Sequence, residues 1–124
     1  MEAIYIDKTN LTPLVKLDAE KGIFEISGKS FPEDVLVFFN PIRNWISDYC
    51  KNPNDRTEFV FNLEYFNSAT ARIVIKILLS LEEIMNTKRE IIVYWHYKKD
   101  DEVMKERGEE IKSVVLLPFE LVED

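Results

Sequence analysis

Apolar and polar residues alternate along Leu14-Val15-Lys16-Leu17 and again along Ile23-Phe24-Glu25-Ile26-Ser27, the period-two pattern of two short strands. Asp18 to Gly22 lies between them and predicts a hairpin connection, and Ser27-Gly28-Lys29-Ser30 then breaks the alternation. A helix is expected from about Pro32, whose fixed φ suits a first helical position. Val35, Phe38, Phe39, Ile42, Trp45, Ile46 and Tyr49 recur at helical spacing and form one buried stripe. Pro41 sits inside that stretch, but the stripe stays in phase across it, so one kinked helix is expected rather than two. Lys51 to Arg56, with Asn52-Pro53-Asn54-Asp55, has the composition of a loop.

Further on, Phe59, Phe61 and Leu63 alternate with Val60, Asn62 and Glu64, predicting a strand over residues 57–66 buried more on one face. Asn67-Ser68 ends it, and a long helix is expected from about Ala69 to Asn86. Glu90 to Tyr97 is a further strand; Asp100 or Asp101 caps a short helix to about Ile111, and Val114 to Val122 is the last strand. The order is therefore β-β-α-β-α-β-α-β. Strands alternating with helices imply crossovers and a mixed, largely parallel sheet with helices packed on it, the hairpin adding antiparallel pairing. A single small α/β domain over residues 1–124, of the STAS kind found in anti-sigma-factor antagonists, is the expected architecture. Hydrophobic residues make up 46% of the chain, with eight Phe, five Tyr and two Trp, enough to fill one such core.

The net charge of −7 changes the picture of partners. Nucleic-acid binders show a basic face, and membrane-surface helices set basic residues beside an apolar stripe. Lys and Arg are scattered here apart from Lys88-Arg89 and Lys98-Lys99, so neither a nucleic acid nor a membrane is expected as partner. Cys50 is the only cysteine and has no intramolecular disulfide partner. The start Met1-Glu2-Ala3-Ile4 lacks a secretory pattern and no apolar run approaches membrane-spanning length, so the expected compartment is the cytoplasm.

Catalytic signatures are missing as well. Only three Gly are present, and no Walker loop, dinucleotide fingerprint or nucleophile elbow occurs. One His and one Cys at distant positions do not supply a zinc site. Neighbours in Glu82-Glu83, Asp100-Asp101 and Glu109-Glu110 diverge by about 100° on a helix, and suit a solvated face or a cap better than acid–base chemistry. No enzyme and no cofactor are expected; a small-molecule pocket near Trp95, His96 and Tyr97 is the weakest of the possible readings. The composition favours a module that binds other proteins.

One constellation points further. Tyr65-Phe66-Asn67-Ser68-Ala69-Thr70 joins a buried strand to the long helix. Ser68 falls at the N-cap or in the first turn, where its hydroxyl either satisfies an orphan backbone N–H or accepts a phosphate that the helix terminus favours. On the helix itself Ile73, Val74, Ile77, Leu78, Leu81, Ile84 and Met85 share the core-facing arc. Ser68, Arg72, Ile75 and Leu79 form a separate ridge. Ile75 and Leu79 there either contact a partner or pack under the neighbouring kinked helix.

These residues also carry a resemblance. Gly28-Lys29-Ser30-Phe31-Pro32-Glu33, Phe66-Asn67-Ser68-Ala69-Thr70 with Leu81-Glu82-Glu83, Trp95-His96-Tyr97 before Asp100-Asp101-Glu102-Val103-Met104, Gly108-Glu109-Glu110 and Leu117-Pro118-Phe119 follow one another in fixed order. In that order and spacing the chain resembles, nearly end to end, the SiaC-type family of bacterial regulatory phosphoproteins. The resemblance implies a STAS-like fold and a place in a partner-switching network. A Ser/Thr kinase phosphorylates such proteins at the start of the second long helix, and a PP2C-like phosphatase reverses it. The unphosphorylated form binds and activates a diguanylate cyclase, favouring biofilm formation. The family's modified threonine aligns with Ser68, which keeps the hydroxyl and lacks the methyl; Thr70 is the reserve site. Asn67, Ser68, Arg72, Ile75 and Leu79 are the implied partner surface, the alternative being a constitutive scaffold that is never phosphorylated.

Overall fold

The alternating segments pair into one six-stranded sheet whose strands lie side by side in chain order. The structure, a computed structural model, describes residues Met1–Asp124. Its strands are β1 (Ile4–Ile6), β2 (Leu14–Asp18), β3 (Ile23–Ser30), β4 (Arg56–Phe66), β5 (Glu90–Tyr97) and β6 (Phe119–Glu123). Pairing is antiparallel from β1 to β3 and parallel from β3 to β6. The expected hairpin closes at Gly22, whose φ of 64° lies in the left-handed region and whose N–H donates to the Asp18 carbonyl at 2.9 Å.

Helices α1 (Val35–Tyr49), α2 (Ser68–Leu81) and α3 (Glu102–Val114) make the three crossovers. Same-handed crossovers between strands that advance one way across a sheet put every helix on the same face. Burial agrees with this. Val15, Leu17, Phe24, Ile26, Phe59, Phe61, Val93 and Trp95 are completely buried, while the residues between them, such as Lys16, Glu25, Glu58 and Tyr94, keep contact with solvent. Phe24 sits at the centre of the α1 side, its ring edge-on to Trp45 (5.3 Å), Tyr49 (4.8 Å) and Phe59 (5.6 Å).

The observed architecture is thus the expected mixed α/β sheet, with several boundaries displaced. Strand β1 was not foreseen; three residues give almost no periodic signal, and the segment is held from outside by the Trp45 indole N–H donating to the Glu2 carbonyl at 2.7 Å. Helix α1 begins at Val35 rather than Pro32, because the Asp34 carboxylate accepts from the Leu36 and Val37 N–H groups at 3.1 Å and caps it there. It then runs unbroken across Pro41, where the carbonyl left without a donor belongs to the exposed Val37. Helix α2 stops at Leu81 and tightens into a 3₁₀ turn, Glu82–Asn86, where the continuous helix was expected to Asn86. That turn keeps Ile84 buried, and the Thr87 hydroxyl and N–H both donate to its carbonyl. Helix α3 is capped by Asp101 and continues to Val114, so the last strand starts only at Phe119, after Pro118.

Candidate functional site

The turn from β4 into α2 is fixed by bonds from both sides. Asn67 adopts an extended backbone (φ −88°, ψ 174°), and its side-chain Oδ1 accepts the Thr70 N–H at 2.9 Å. Asn67, not Ser68, is therefore the cap. Its own N–H donates to the Ser30 carbonyl at 3.2 Å, and the Thr70 hydroxyl donates to that carbonyl at 3.1 Å while lying 2.9 Å from the Ser30 hydroxyl. The end of β3 thus clamps the first turn of α2.

That clamp separates the two hydroxyls proposed for modification. Ser68 is the first helical residue, exposed, and its side chain takes no part in the cap. Thr70 is completely buried and committed to Ser30. Thr70, the reserve phosphorylation site, therefore keeps its hydroxyl beneath the first turn of α2, out of contact with solvent.

The ridge runs down α2 from Ser68. Arg72 is exposed and forms no salt bridge, Ile75 is half-buried, and Leu79 is exposed. Of the two alternatives for the apolar pair, packing under α1 fails for Ile75, which faces the other way. Helices α1 and α2 pack directly, whereas α3 rests on β4, β5 and β6, leaving an apolar groove of about 230 Å³ between α2 and α3. Ile75 lines it together with Phe66, Ala71, Ile111 and Val114. At its rim the Arg107 guanidinium carbon stands 5.0 Å from the centre of the Phe66 ring, without a carboxylate partner. Towards the other end, Glu82, three residues after exposed Leu79, accepts the Leu116 N–H at 2.6 Å.

Arg107, Phe66, Ile111 and Val114 were not singled out from the sequence. The available signal was the spacing of Met104, Arg107, Gly108, Ile111 and Val115, which places an arginine on the flank of a buried stripe in the last helix.

The Trp95-His96-Tyr97 segment does not make a pocket. Trp95 and Tyr97 point into the helix layer, the Trp95 indole N–H donating to the Met104 carbonyl at 3.0 Å, and Gly108 lies flush against that indole. His96 points to the opposite face and bonds Asp124 through Nδ1 at 2.8 Å. No three His, Cys, Asp or Glu side chains approach closely enough to hold a metal. Cys50 is half-buried with its thiol directed at the Ser80 carbonyl (3.7 Å), and burial, helped by the charge of Glu83, pushes its pKa up to about 11. No helix is long and apolar enough to cross a membrane.

Comparisons with known proteins place this geometry. An uncharacterized protein of Pseudomonas aeruginosa strain UCBPP-PA14 is 27% identical over 119 residues, covering 96% of this chain and 94% of its own length. SiaC of Pseudomonas aeruginosa superposes over the whole of both chains with a TM-score of 0.90 at 25% identity. The crystal structure of the diguanylate cyclase SiaD in complex with its activator SiaC, from the same organism, matches with a TM-score of 0.91 at 26% identity, covering 98% of this chain and 99% of that one. The sequence pattern described as SiaC family regulatory phosphoprotein matches residues 6–124, so this chain belongs to the SiaC family, whose role is regulatory rather than enzymatic.

Proposed function

We propose that this protein is a non-enzymatic partner switch, controlled by reversible phosphorylation of Ser68 and acting in the cytoplasm. The bare form binds and activates an output protein, a diguanylate cyclase; a Ser/Thr kinase adds the phosphate and a PP2C-like phosphatase removes it. The observation that carries this reading is the contrast between two neighbouring hydroxyls. Ser68 is exposed and uncommitted on a rigid turn, whereas Thr70 is sealed beneath it. The family is one of phosphoproteins, and its member SiaC is the activator in a complex with a diguanylate cyclase.

Ser68 heads the ridge that includes Arg72, Ile75 and Leu79, with Asn67 beside it, and this ridge is the proposed partner surface. A phosphate there brings about −1.5 to −2 charges to an apolar-footed contact. The fold does not use the Ser68 hydroxyl, so the phosphate alters the contact surface without breaking the fold. The test is a calorimetric titration with the diguanylate cyclase of the same genome. Ser68→Ala is expected to bind like the natural chain, Ser68→Asp at least tenfold more weakly, and Leu79→Asp more weakly still, all three with unchanged thermal unfolding. If Ser68→Asp binds as tightly as Ser68→Ala while Leu79→Asp does not bind, the protein is a constitutive scaffold rather than a switch.

A further inference from the structure

We propose that Arg107 is the internal receptor for a phosphate on Ser68, and that the resulting bridge ties α2 to α3 across the apolar groove. This rests on Ser68 being the modified residue and concerns what the modification does within the chain.

Three observations lead there. In a chain carrying seven more negative than positive charges, Arg72 and Arg107 both lack any carboxylate partner. Glu110 lines the same groove one turn beyond Arg107 and still forms no ion pair with it. Arg107 is held instead over the ring of Phe66, two residues before Ser68, its guanidinium carbon 5.0 Å from the ring centre, and no carboxylate takes its N–H groups.

Placement is the second point. Ala71 shares the groove with Arg107 and lies three residues after Ser68, about 5–6 Å away between Cβ atoms on one helix face. Phe66 and Ala71, which flank Ser68 in the chain, thus both meet the groove that Arg107 lines. The third point is chemical. The guanidinium fork suits a phosphate, which presents three acceptor oxygens, and Arg72, four residues after Ser68, supplies a second cation from the ridge side.

The bridge has a consequence that added charge alone lacks. It draws one wall of the groove towards the other over Phe66, Ala71 and Ile75, so phosphorylation removes the apolar footing as well as changing its charge. Arg107 acts here as a positioning residue.

The test uses the full-length chain with phosphoserine installed at position 68 during translation, so it does not depend on which residue cells modify. Phosphorus NMR follows the second ionisation of the phosphate, ordinarily near pH 6. In the otherwise natural chain it is expected roughly one unit lower, the shift produced by a cation in contact. Arg107→Gln should return it most of the way, Arg107→Lys only part of the way, and amide exchange in α3 should slow on phosphorylation only while Arg107 is present. Unphosphorylated Arg107→Gln must unfold at the natural temperature, so that loss of fold is not mistaken for loss of the bridge. If the phosphate of the Arg107→Gln chain titrates like that of the natural one, or if only Arg72→Gln moves it, there is no bridge across the groove and the proposal is wrong. Failure to find phosphate on Ser68 in the native host would instead overturn the switch itself.

Discussion

Gly108→Ala is the sharpest test of how α3 is seated. A Cβ on Gly108 would stand 2.6 Å from the Trp95 Nε1 and 2.9 Å from its Cγ, closer still to Cδ1, where ordinary contact begins at 3.4 Å. The indole cannot yield. It is completely buried, with Phe61 stacked at 5.4 Å, Phe119 at 6.1 Å and Phe66 edge-on at 5.7 Å. The helix must therefore lift, stretching the bond from Trp95 to the Met104 carbonyl. Overpacking of this kind costs about 1–3 kcal/mol and the weakened bond about 1 kcal/mol. Replacing Gly by Ala inside a helix returns about 1 kcal/mol through propensity. The balance is a loss of about 2 kcal/mol, a fall in Tm of roughly 8 °C for a domain of this size. Urea and thermal melts followed by tryptophan fluorescence measure it directly. Because α3 forms one wall of the groove, partner affinity should fall with it. A Gly108→Ala variant as stable as the natural chain would mean that α3 does not rest on Trp95 as described.

Two further outcomes follow from the same geometry. Thr70→Val removes both bonds to Ser30, leaving a buried hydroxyl and carbonyl underserved, and should cost about 1–3 kcal/mol in denaturant titration. Cys50, with its folded pKa raised by burial, holds its proton more tightly folded than unfolded. Stability should therefore decline from about pH 8.5, where the unfolded thiol ionises, towards about 11, where the folded one does. Cys50→Ala should flatten that decline in alkaline urea melts, and an unchanged slope would contradict the assigned burial of the thiol.

The sequence was informative wherever a buried stripe was long. The α1 residues Phe39, Ile42, Trp45, Ile46 and Tyr49 and the β4 residues Phe59, Phe61 and Leu63 repeat often enough to set both element type and inward face, and all are buried. It was silent where position depends on distant residues. Strand β1 has three residues and a tether from Trp45, forty-three positions away. The choice between Asn67 and Ser68 as cap turns on one backbone dihedral, which neighbouring polar residues do not reveal. Thr70 looks as available as Ser68 in the sequence, and only Ser30, forty residues upstream, seals it. The groove escaped notice for a related reason, since its walls come from α2 and α3 and its floor from the end of β4. The family resemblance pointed to Ser68, and the fold leaves Ser68 rather than Thr70 as the reachable hydroxyl.

The central claim is that Ser68 is the switch. Mass-spectrometric phosphosite mapping of the protein isolated from its native host, with and without each candidate Ser/Thr kinase gene, tests it most directly. Phosphate on Ser68 that disappears with the kinase is the predicted result. An abundant protein whose Ser68 stays unmodified across growth conditions would contradict it.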